Sequence, residues 1–173
     1  MNMSSIHDEE RPWKTDLARK SVQRRETVLR ELEELIKKAP SFEEALKQAV
    51  ELAKRRFARY TAITVYVADG ESLAVLMAID RPEGPESVSS DKGPLAQAAH
   101  RTGATVVMDL AGDAAWAETG LTSGSAMVAP VRTEAGLWAI VEVWSDFRAA
   151  FSAHDERLLT RMTAALARKT PAA

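Results

Sequence analysis

The residue in this sequence best placed to do chemistry is Glu142, in the run Gly136-Leu-Trp-Ala-Ile-Val-Glu-Val-Trp-Ser145. Successive side chains of a strand point to opposite faces. As a strand, the run therefore sets Trp138, Ile140, Glu142 and Trp144 on one face and Leu137, Ala139, Val141 and Val143 on the other. A carboxylate between two indoles can pair with an amine or accept hydrogen bonds, and the indoles can stack on a planar group or face a cation. The pattern equally fits a carboxylate paired with an arginine such as Arg132, or one in water at the sheet rim, with both tryptophans in the core. Of the other polar groups, His100 stands near a helix end, where partial positive charge suits the dipole. His154 lies in a capping turn. His7-Asp8-Glu9-Glu10 has metal-ligand chemistry, but a polar tail without a second layer of orienting groups seldom builds a site, and no metal is expected.

The 173 residues include no cysteine, which removes thiol nucleophiles, thiolate metal sites and disulfides together. A formal net charge of −2 gives no reason to expect nucleic acid or an acidic membrane as partner. No apolar run approaches the roughly 18–20 residues of a membrane span and no leader is recognisable, so a cytoplasmic protein is expected. Gly-rich phosphate loops, Ser-His-Asp arrangements and metal-spaced histidine pairs are missing, and the expectation is that the chain is not an enzyme.

These groups need elements to position them. Residues 1–14 are polar and aperiodic and predict an arm. Residues 15–39 predict a helix whose stripe, Ala18, Val22, Arg25, Leu29, Leu32 and Ile36, follows a coiled-coil spacing. Ser41-Phe-Glu-Glu44 opens a second helix with a capping box, and Ser152-Ala-His-Asp155 opens the last one in the same way. Between them, β-branched runs at 62–68 and 72–79 flank Asp69-Gly70, a hairpin signal. Residues 81–90 form a loop, Gly93-Pro94 starts a short helix, and 104–108 is a strand. A brief helical turn lies around 114–118, and residues 123–145 make a hairpin turning at Glu134-Ala-Gly136. Hairpin-linked strands covered by amphipathic helices give an α+β fold.

Four phrases in this order resemble a GAF domain. They are Gly93-Pro-Leu-Ala-Gln-Ala-Ala-His-Arg-Thr-Gly-Ala-Thr-Val-Val-Met-Asp109, Met127-Val-Ala-Pro-Val131, Ala139-Ile-Val-Glu-Val-Trp-Ser145 and Phe151-Ser-Ala-His-Asp-Glu-Arg-Leu-Leu159. The resemblance spans residues 40–168 and leaves 169–173 as a tail. It implies a central antiparallel sheet of five or six strands, with N- and C-terminal helices on one face. A lid of loop and short helix, residues 81–124, covers the other face and closes over a small-molecule pocket. It further implies a sensory domain that dimerises through its terminal helices, which makes 15–39 a candidate dimerisation helix; its apolar stripe packs either on its own domain or on the same helix of a second subunit.

In that pocket the resemblance places Glu142 with Trp138 and Trp144, Asp109 near the mouth, Trp116 in the lid, and Met127. Asp109 serves equally well as a turn cap, Trp116 as helix packing and Met127 as core filler. Some GAF domains bind haem through histidine, which raises His100, although no cofactor is assigned. The cyclic-nucleotide signature of the family is missing. The hairpin is also similar to that of the free methionine-R-sulfoxide reductases, whose final strand carries ligand-binding carboxylates. Glu142 takes their first carboxylate position, Trp144 replaces the second, and Ala126 stands where a glutamate belongs. Their catalytic thiols are absent, so reduction by that mechanism is excluded. The expectation is a sensor binding a small molecule between sheet and lid, signalling as a homodimer or to a separate protein. The alternative is a ligand-free dimerisation module.

Overall fold

The computed structural model describes residues 12–169, with side chains from Asp16 onward. Most of the expected arm, including His7–Glu10, and residues 170–173 of the tail lie outside the described residues. Residues 12–14 belong to α1, Pro12–Lys38, so the helix begins earlier than its periodicity suggests. It is followed by α2 (Phe42–Arg56), β1 (Ala62–Asp69), β2 (Ser72–Ile79) and β3 (Ser87–Ser89). Next come α3 (Gly93–Ala99), β4 (Thr105–Val107), α4 (Ala114–Ala117), β5 (Ser125–Thr133), β6 (Gly136–Ser145) and α5 (Ala153–Ala167). The strands form one six-stranded sheet in the order β3-β2-β1-β6-β5-β4, and every pairing is antiparallel. The fold is α+β, with β1, β6 and β5 at its centre.

Both helix starts follow from local chemistry. The Ser41 hydroxyl accepts the Glu44 amide at 3.1 Å, while the Glu44 carboxylate takes Gln48 rather than completing the expected box. At α5 the reciprocal side is present: Asp155 Oδ2 accepts the Ser152 N–H at 2.9 Å and its hydroxyl at 2.6 Å.

Each face of the sheet buries its own apolar layer. On one face, α1, α2 and α5 cover Ile63, Val65, Met127, Ala129, Val131, Ala139, Val141 and Val143. Leu29, Leu32 and Ile36 of α1 are buried within the chain, so the C-terminal half of the coiled-coil-like stripe packs in cis against α2 and α5. Toward the N-terminus the same stripe runs out: Val22 and Arg25 are half-buried, and Ala18 is exposed. On the other face, the segment between β2 and β5 lays Leu95, Ala98, Ala99, Leu110, Trp116 and Leu121 over Tyr66, Leu73, Ala126, Val128 and Ile140. This lid is closed by a crossing of backbones. Gly120 has φ +89°, and a Cβ there would stand 2.7 Å from the Glu83 carbonyl oxygen. Only glycine permits that approach.

Candidate functional site

The lid-facing side of the sheet combines apolar packing with a small set of buried polar groups. On β6, Glu142 alternates with Ile140 and Trp144, both of which pack into the lid-side layer. Register places Thr64 of β1 directly opposite Glu142, and Val128 of β5 on its other side. Tyr66 lies two residues further along β1, on the same face. Thr105 of β4 pairs with Val128, two strands from Glu142 or about 10 Å. Since Val107 packs into the lid-side layer and Val106 into the helix-side layer, Thr105 shares the lid face by alternation.

Among the described residues, three buried side-chain atoms on this face have no hydrogen-bond partner: Glu142 Oε2, Tyr66 Oη and Thr105 Oγ1. Buried polar atoms are rarely left unpaired, because each unpaired group costs about 1–3 kcal/mol. Burial pushes the Glu142 carboxyl up from 4.5 to about 7; Arg81, Tyr66 and Thr64 pull the other way. The Tyr66 and Thr64 hydroxyls stand near enough to favour the anion, yet no hydrogen bond of normal geometry reaches Glu142 Oε2. The Tyr66 hydroxyl is raised above its ordinary value, first by burial and next by the Glu142 charge. Arg81 opens the lid segment, 5.9 Å over the Tyr66 ring, and donates to the Pro85 carbonyl at 2.6 Å. The arrangement can hold a proton near neutral pH, accept a donor at Oε2, and offer two hydroxyls beside it.

The residues singled out from sequence do not all meet here. Glu142, Trp116 and Trp144 share the lid face; Trp116 is 3% exposed, and Trp144 is half-buried with Nε1 donating to the Ser123 carbonyl at 2.9 Å. Asp109 is exposed, accepts the Ala111 amide at 3.0 Å and pairs with Arg148 at 3.4 Å, a turn-capping position. Met127 faces the helices. Trp138 departs from strict alternation. The β5–β6 register slips between Val131 and Arg132, so Arg132 pairs with Leu137 and Trp138 is skipped. That bulge turns Trp138 to the helix side, edge-on to Phe42 at 4.2 Å, and gives the lid face to Leu137. The arginine facing Glu142 is Arg81, whereas Arg132 donates to the Ala99 carbonyl. His100 is exposed at the end of α3, and among the described residues no group of three or more potential ligands could hold a metal.

Tyr66, Thr64, Thr105 and Arg81 escaped the sequence reading. A signal for two of them exists in Ile-Thr-Val-Tyr-Val, where polar-tipped residues alternate with fully apolar ones inside a hydrophobic strand.

Comparison with known proteins agrees with this architecture. Residues 41–169 match the GAF domain family, and the chain belongs to it. The family is one of sensory and regulatory domains. Among curated proteins no sequence match was found. Similar solved structures include the free methionine-R-sulfoxide reductase of Neisseria meningitidis in complex with its substrate. It is 19% identical, has a TM-score of 0.73, and covers 84% of this chain and 87% of its own. The substrate complex of fRMsr from Staphylococcus aureus is 14% identical with a TM-score of 0.74, covering 85% and 95%. The GAF domain of a phosphoenolpyruvate-protein phosphotransferase from Coxiella burnetii is 15% identical with a TM-score of 0.69, covering 86% and 93%. Among the described residues no helix is long and apolar enough to cross a membrane.

Proposed function

We propose that this chain is a sensory, non-catalytic GAF domain that binds a small polar molecule on the lid face of its sheet, with Glu142 as the anchor. The observation that carries this reading is the set of unpartnered buried atoms, Glu142 Oε2, Tyr66 Oη and Thr105 Oγ1, gathered on one face beneath a cover of short elements. A ligand presenting an N–H or ammonium to Glu142 and an acceptor to Tyr66 satisfies groups that otherwise weaken the fold. The ligand enters as the segment between β2 and β5 lifts from the sheet. It then shifts the population of lid positions by its higher affinity for one of them. Signalling passes through the terminal helices, to a second copy or a separate protein. Two of the similar structures are seen with substrate; this chain has no cysteine, which favours binding over thiol chemistry.

A thermal-shift screen of amines, amino acids, nucleotides and oxyanions tests the proposal, since a ligand at about 100 times its dissociation constant adds about 2.7 kcal/mol of stability. A stabilising compound whose effect disappears in both Glu142→Gln and Tyr66→Phe is expected. Hits that stabilise those variants as much as the parent overturn the site.

A further inference from the structure

We infer that the cleft between α1 and the end of α2 is a second binding site, for a small organic molecule carrying a diphosphate or triphosphate. The cleft lies on the opposite side of the sheet from Glu142 and has a volume of about 470 Å³. That is within the roughly 300–1,000 Å³ range of small-molecule sites. Five cations line it, Lys20, Arg24 and Arg25 from α1 with Arg56 and Arg59 beyond them, against one carboxylate, Asp155. Lys20, Arg25 and Arg56 have ion-pair partners in Asp16, Asp155 and Glu31, which leaves Arg24 and Arg59 as the surplus positive charge of the cleft in a chain whose overall charge is −2.

Asp155 offsets only Arg25, to which both of its oxygens are committed. Both accept from Arg25, at 3.0 and 3.2 Å, while the Tyr60 hydroxyl and Ser152 take what remains. The Arg25–Asp155 pair therefore serves as a rigid floor, with the guanidinium 5.9 Å from the centre of the Phe57 ring. Higher in the cleft, Lys20 pairs with Asp16 at 2.8 Å and Arg56 with Glu31 at 2.7 Å, both exposed contacts that an incoming polyanion can displace at little cost. Among the described residues no carboxylate pairs with Arg24 or Arg59. Guanidinium forks match phosphate oxygens two at a time, which a lysine-rich surface does not. A single phosphate fills a small part of the volume, so the chemistry favours a larger molecule with two or three linked phosphates.

Lys20 and Arg24 belong to the exposed N-terminal half of α1, Arg56 to the last turn of α2, and Arg59 to the α2–β1 connection. An anion held between them ties that half of the helix to the domain.

Isothermal titration of the full chain with inorganic pyrophosphate and with adenosine diphosphate, at about 0.15 M ionic strength, tests the inference. Saturable one-to-one binding is expected for at least one of them, with no heat from adenosine. The Arg24→Gln/Arg59→Gln variant changes two exposed side chains outside the buried pair and should keep the parental urea midpoint. Its affinity should fall by about tenfold or more. Affinity for the same anion should survive Glu142→Gln, which separates this site from the lid face. No saturable binding of either anion, or equal affinity in the double variant, overturns the inference.

Discussion

Glu142→Gln removes a negative charge from a residue that is 2% exposed while keeping its shape. In the folded chain burial lifts this carboxyl from 4.5 to about 7, so between those values the native state holds a proton that the unfolded chain has released. Unfolding free energy then falls with rising pH, because the unfolded state binds fewer protons. The stability tied to Glu142 is fully present below about pH 4.5 and is lost by the time pH has passed about 7. At 1.36 kcal/mol per unit of pKa difference, the ionised carboxylate costs the folded chain roughly 3 kcal/mol at about pH 8. Glutamine has nothing to titrate. Urea unfolding of both proteins at steps from about pH 5 to 8.5 should show the variant gaining on the parent by roughly 2–3 kcal/mol across the window. Using the difference between the two proteins cancels every other titrating group they share. A difference that stays constant with pH would mean that Glu142 titrates like a solvated carboxylate, and the reasoning from burial would fail.

Three further outcomes follow from other contacts. Asp155→Ala strands Arg25 and removes the α5 cap, and should cost about 3–5 kcal/mol by urea unfolding; a loss under about 1 kcal/mol would contradict the buried network. Burial alone would raise the Asp155 carboxyl, but hydrogen bonds from Arg25 and Ser152 hold it below its ordinary 3.8, so its contribution is present above that value and disappears as pH falls through the folded one. Leu32→Ala, at a position with 0% exposure, should lower stability by about 2–5 kcal/mol equally at all protein concentrations; a loss that shrinks at high concentration would show the α1 stripe to be an intermolecular seam. Gly120→Ala should destabilise by more than about 1 kcal/mol and speed hydrogen exchange across the lid, and an unchanged midpoint would contradict the backbone crossing at Glu83.

Elements announced by local chemistry were legible in the sequence. Ser41 and Ser152 mark helix starts, Asp69-Gly70 and Glu134-Ala-Gly136 mark hairpins, and the double coverage of β6 follows from its apolar run. Alternation also identified the face that carries Glu142 and Trp144. It failed at Trp138, where a one-residue bulge reverses direction, and no local residue pattern announces that slip. Met127 faces the helices with its register partner Val143, a facing set by the hairpin register and not by residue type. The depth of Glu142 and its grouping with Tyr66, Thr105 and Arg81 were illegible because both depend on pairing between remote parts of the chain. These residues come from strands and a loop far apart in the chain, brought together only when β1 pairs with β6 and β4 with β5. The stripe on α1 showed that the helix must pack, but not that α2 and α5 of the same chain would cover half of it.

The most direct test of a ligand site beneath the lid is electron density around Glu142 in crystals grown with a compound that raises the melting temperature. A bound molecule is expected there, with a polar atom within about 3.2 Å of Glu142 Oε2 and a second contact to Tyr66 Oη or Thr105 Oγ1. The same compound bound elsewhere, with Leu95, Leu110 and Trp116 still packed against the sheet, would contradict that expectation.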